Sequence, residues 1–84
     1  YIGALPDYSG GVPGVSFLGI VEGSPAADAG LKAGDRVVSV SGKEIGGVED
    51  YVRAVGGMSP GERLRVTVER EGGPVTVGLV PEKR

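Results

Sequence analysis

Eleven of the 84 residues are acidic, and a hydrolytic or metal-based chemistry would have to draw on Asp28, Asp35, Glu44, Glu49 and Asp50, with Ser24 as the nearest hydroxyl. The chain contains no histidine and no cysteine. There is therefore no imidazole base, no thiolate nucleophile and no cysteine-based zinc site, and Ser24 could be activated only by an uncommon Ser–Lys arrangement. Each of these polar residues has a simpler use. Ser24 is suited to capping a helix, Asp35 to ordering the turn before a strand, and the adjacent Glu49 and Asp50 to the positive end of a helix dipole. Gly10-Gly11 and Gly72-Gly73 do not lead into a helix carrying a lysine, so neither reads as a phosphate loop. No catalytic residue, metal ligand or cofactor-binding residue is expected, and the chain is not expected to be an enzyme by itself.

The spacing that remains is apolar. Val48, Tyr51, Val52 and Val55 recur at i, i+3, i+4 and i+7, which predicts one face of a helix over residues 48–55. Four apolar residues make a wider stripe than a short helix on a small sheet needs to bury.

Elements must be present to hold that helix. Residues 15–21 are apolar and β-branched and predict a strand. Ser24 as N-cap, Pro25 at the first helical position and Gly30 just past the end predict a helix of about two turns. Residues 36–40 predict another strand, followed by the turn Ser41-Gly42. Leu64, Val66 and Val68 alternate with charged or polar residues, as do Val75, Val77 and Leu79, and Glu71-Gly72-Gly73 joins the two runs as a hairpin with one core face and one solvent face. Ser9 to Gly14 reads as a loop. The order is strand, strand, short helix, strand, longer helix, strand, strand, an α+β domain in which two helices cap a small antiparallel sandwich or half-open barrel.

Bulk properties agree with one small domain. At this length only about 60–65% of the extended surface is buried on folding. With 39% hydrophobic residues, 24% charged and a net charge of −2, the chain is neither disordered nor built for nucleic acid. Its longest apolar runs are far below the ~20 residues of a membrane span. The first residue is Tyr1 and no signal peptide is visible, so residues 1–84 are expected to be a single domain excised from a larger protein.

Four segments together resemble a PDZ domain of the bacterial, protease-associated type. They are Tyr1-Ile2-Gly3-Ala4, the thirteen-residue run from Gly23 through Ser24-Pro25-Ala26 and Ala29-Gly30-Leu31 to Gly34-Asp35, then Ser41-Gly42-Lys43-Glu44-Ile45, and Pro60-Gly61-Glu62. The layout is similar to circularly permuted members, in which the final strand fills the place of the first strand of eukaryotic ones. Residues 5–11, Leu5-Pro6-Asp7-Tyr8-Ser9-Gly10-Gly11, look most like modules appended to bacterial zinc aminopeptidases. Similar modules occur in high-temperature-requirement serine proteases, tail-specific proteases and intramembrane site-2 proteases.

The resemblance implies a site. The backbone N–H groups of Ile2, Gly3 and Ala4 would receive a partner's terminal carboxylate. The peptide would lie as an antiparallel strand beside residues 4–8, with Leu5, Pro6 and Asp7 on that edge and Val48, Val52 and Val55 across from it, while Tyr51 and Ala54 turn to the core. An apolar pocket of Ile2, Ala4, Val52 and Val55, widened by the small Ala4, implies a hydrophobic terminal residue, and Val48, where eukaryotic members often carry a histidine, implies a hydrophobic preference two residues before the terminus. Pro6 falls where an N–H would meet the ligand. The expected partners are C-terminal or extended peptides and the catalytic domain of a linked peptidase, in a periplasmic, extracytoplasmic or secreted setting. The groove could also be occupied in cis by the parent protein.

Overall fold

The computed structural model describes residues 2–7, 14–57, 59 and 61–82. Along the chain these form β1 (Ala4–Pro6), β2 (Val15–Ile20), α1 (Pro25–Asp28), β3 (Arg36–Val40), β4 (Lys43–Glu44), α2 (Val48–Gly56), β5 (Leu64–Arg70) and β6 (Gly73–Leu79). The α+β architecture expected from the sequence is the one observed. Tyr1, Tyr8, Pro60 and residues 9–13 of the predicted Ser9-to-Gly14 loop lie outside the described residues.

All strand pairings are antiparallel, in the order β1-β2-β3-β5-β6, with the two-residue β4 paired to β3. Alternation decides the facing of β5: Leu64, Val66 and Val68 are buried while Arg65 and Glu69 are exposed. On β6, Val75 and Val77 are half-buried, Leu79 is buried, and Pro74, Thr76 and Gly78 face solvent. The connecting loop is Glu71-Gly72, because Gly73 already pairs with Arg70 and opens β6.

β2 has a neighbour on each side. Val15 and Ser16 pair with β3, and Phe17, Gly19 and Ile20 lie opposite β1, while the Phe17 N–H donates to Asp35 O at 2.9 Å just before β3. The stagger of these two neighbours along β2 bends the sheet into the half-open form. Phe17 lies at the bend, 3% exposed, with its ring edge-on to Tyr51 of α2 at a centroid distance of 6.2 Å. Gly14 begins the bend at φ +87°, and a Cβ there would stand 2.4 Å from the Val37 carbonyl oxygen, so no other residue fits.

The short helix differs from expectation in length. It is one turn rather than two, because Ser24 and Ala29 are its half-helical flanks and Gly30 turns left-handed at φ +93°. Its caps are those predicted. Ser24 Oγ accepts from the Ala27 N–H at 3.2 Å. At the other end Leu31 N–H donates to Ala26 O and Gly30 N–H to Ala27 O, the paired bonds of a Schellman closure.

Candidate functional site

The loop leading into β1 is fastened by its carbonyls. Ala26 N–H, an unsatisfied donor of the first turn of α1, donates to Ile2 O at 2.8 Å, and Val21 N–H donates to Gly3 O at 2.8 Å. Ile2 and Gly3 are buried. Gly3 sits at φ +83°, a conformation that an L-residue reaches only at a cost of roughly 1–2 kcal/mol. No acceptor among the described residues takes the N–H of Ile2 or Gly3. Carbonyls held to the scaffold and successive amides left open around a left-handed glycine form a concavity suited to an anion.

The bonding directions along β1 follow from the fixed Gly3–Val21 bond. Antiparallel residues alternate between bonding inward to the partner strand and outward. Gly3 therefore turns its carbonyl, but not its N–H, to Val21, Leu5 turns its backbone groups to Gly19, and Ala4, opposite Ile20, turns its N–H and C=O to the free edge. Between Leu5 and Pro6 the register slips, leaving Leu18 of β2 as the extra residue of a bulge, 68% exposed. Beyond it Asp7 N–H donates inward to Ser16 O at 2.8 Å, so Pro6 is again an outward position. Pro6 offers its carbonyl there and has no N–H to offer.

Of the groove positions read from the sequence, Ile2 is core at 6% exposure, and Ala4, Val48 and Val55 are half-buried and packed on the core. Val52 is 52% exposed. Tyr51 is buried and Ala54 half-buried, as their expected core facing requires. The Tyr51–Phe17 contact registers α2 on β2 opposite Pro6. Leu5 goes elsewhere: its side chain lies over Gly19 on the outer face of the β1–β2 pair and is 53% exposed. Asp7 contributes its N–H to β2 rather than to the edge.

On the far side of α2 a cleft of about 220 Å³ is lined by Val40, Ser41, Lys43, Arg53, Ala54 and Leu64, among others. It brings together none of the positions read as binding residues. The two N–H groups that anchor the loop, from Val21 and Ala26, were not singled out by sequence reasoning. The signal available was the cap itself, since Ser24-Pro25 leaves the Ala26 amide without a helical partner.

A bent antiparallel sheet with this loop at its free edge and a valine-bearing helix beside it defines a PDZ domain. Residues 17–70 match the family model described as PDZ domain, and the chain belongs to that family. It is 47% identical over 66 residues to a protein of Brucella suis biovar 1 assigned as a zinc metalloprotease, covering 79% of this chain and 17% of that one. It is 38% identical over 68 residues to a DegP-like periplasmic serine endoprotease assigned in Ectopseudomonas mendocina, covering 76% of this chain and 14% of the relative. The chain thus spans about a sixth of the length of these relatives. Among solved structures, an HtrA-type protease, AlgW, determined with a decapeptide superposes with a TM-score of 0.86 at 21% identity, over 100% of this chain and 29% of that one. An aminopeptidase N family protein of Idiomarina loihiensis superposes with a TM-score of 0.84 at 22% identity, over 96% of this chain and 13% of that one. These two share the fold.

Proposed function

We propose that this PDZ domain binds extended peptides through a free C-terminal carboxylate and serves a linked peptidase by delivering or sensing substrate tails. The observation that carries the reading is the loop in which the Ile2 and Gly3 carbonyls are taken and the Ile2, Gly3 and Ala4 amides are open. A carboxylate bound there gains charge-assisted hydrogen bonds of about 1.5–3 kcal/mol each. The peptide then pairs with Ala4 and with the Pro6 carbonyl, and its terminal side chain lies against Ala4, Val52 and Val55. With one outward N–H missing at Pro6, dissociation constants of about 10 μM to 1 mM are expected, or roughly −4 to −7 kcal/mol.

The relatives support the setting. They are proteases of two chemistries, metal-dependent and serine-dependent, and include periplasmic ones, which favours an extracytoplasmic location and a catalytic domain elsewhere in a longer polypeptide. The finer reading of the host as a zinc aminopeptidase rests on residues 5–11 and on the fold likeness to the Idiomarina protein. A second reading, in which the parent protein fills the groove in cis, is favoured by Pro6, which weakens this edge for a free ligand.

Amide-shift NMR with peptides ending in hydrophobic residues, as free acids and as amides, tests the proposal. Shifts at Ile2, Gly3, Ala4 and along α2 with the acid alone support it. A folded domain silent to both forms gives way to the cis-occupied reading.

A further inference from the structure

The sheet has two ends, and they are treated differently. β1 is three residues long, bulged and carries Pro6, which are recognised ways of blunting an exposed edge. β6, at the other end, is seven residues long, and no charged side chain occurs from Gly73 to Pro81. Its bonding directions can be fixed. Ser41 N–H donates to Arg65 O, so Arg65 and Thr67 bond toward β3 while Val66 and Val68 bond toward β6. Hence Gly73, Val75, Val77 and Leu79 bond to β5, in keeping with the two-residue turn that closes on the Arg70–Gly73 pair. Thr76 and Gly78 direct both backbone groups outward, and no described residue accepts from or donates to them.

We infer that β6 is a self-association edge on which a second copy of this chain pairs antiparallel about a two-fold axis at Val77. In that register Thr76 meets Gly78 of the partner subunit, so all four outward groups of the pair are satisfied. The proline that lacks an N–H, Pro74, falls opposite Val80, just past the strand end. Odd-numbered residues stay on one face: Val77 meets its own symmetry mate and Val75 meets the partner's Leu79. The half-buried Val75 and Val77 then continue the apolar face of one sheet into the other. The strand's own side chains are uncharged, the Arg63 guanidinium lies over Gly78 on the polar face, and the self-matched register of Thr76 and Gly78 favours a second copy over an extended foreign segment. The inference is independent of the peptide-binding reading, since β6 and β1 lie at opposite ends of the sheet.

Sedimentation velocity on the 84-residue chain from about 10 μM to about 1 mM tests it, with amide hydrogen exchange read in parallel. The expected result is a mass rising from 8.5 kDa toward twice that value, with exchange at Thr76 and Gly78 slowing as concentration rises. Thr76→Pro removes an outward N–H that the monomer does not use and should hold the chain monomeric. Thr76→Val, which keeps the N–H and loses only the hydroxyl contact to Thr67, should dimerise as the wild type does. Thr76→Lys folds without a backbone change and adds like charge near the axis, so it should weaken the dimer. A chain monomeric at every concentration overturns the inference. So does a dimer untouched by both Thr76→Pro and Thr76→Lys, or Thr76 and Gly78 amides that respond to an added peptide with no change in mass.

Discussion

Arg70, the last residue of β5, grips Asp35, 35 positions earlier, through two nitrogens: Nε donates to Oδ1 at 3.0 Å and Nη2 to Oδ2 at 2.5 Å. The Asp35 side chain is 3% exposed and also accepts the Lys32 N–H at 2.9 Å, while Arg70 reaches on to the Gly30 carbonyl. One guanidinium thus ties the β5–β6 hairpin to the turn that follows α1, the helix from which the Ile2 carbonyl hangs. Arg70→Met leaves a buried carboxylate without its cation and should cost about 3 kcal/mol. Urea unfolding measures it, and a loss under ~1 kcal/mol would mean that water replaces the guanidinium.

Phe17→Ala removes the ring that joins β2 to Tyr51. A loss of about 3–5 kcal/mol is expected, a large share of the stability of so small a domain. Thermal unfolding followed by circular dichroism reads the effect, and a shift of only a few degrees would show that α2 is held by other contacts.

Pro6→Ala supplies the missing outward N–H. If a ligand strand pairs with β1 beyond Ala4, its affinity should rise about fivefold, the equivalent of about 1 kcal/mol. Calorimetric titration with one peptide against both chains decides this, and equal affinities would end the bound strand at Ala4.

Val52→Arg places a cation at a helix position that is already 52% exposed, so the fold should survive. Peptide binding should fall at least tenfold, because the apolar wall of the groove is lost. Unchanged affinity in a folded variant would put the ligand elsewhere.

Much of this was readable from neighbouring residues. Ser24, Pro25 and Gly30 mark the helix ends because capping is local chemistry, and the β5–β6 alternation is legible because one face is wet. The helix is one turn rather than two because Ser24 and Ala29 cap it instead of extending it. The bulge at Leu18 was not legible: it changes which backbone groups of β1 face outward, and nothing in an apolar run shows where a register slips. Arg70 gave no signal because Asp35 is 35 residues away in sequence and is brought beside it only by the pairing of β3 with β5, where Arg36 faces Glu69. The short β4 has too little apolar pattern to register, as both its residues are exposed.

The carbonyl anchoring of residues 2 and 3 also bears on time. A loop already held in shape by Val21 and Ala26 needs no rearrangement before a ligand docks, so association at about 10⁶–10⁷ M⁻¹s⁻¹ is open to it. Combined with the weak affinities expected, a bound tail would stay for only about 0.1 ms to 0.1 s before release. On the proposed function, such a domain would sample chain ends rapidly and let most of them go.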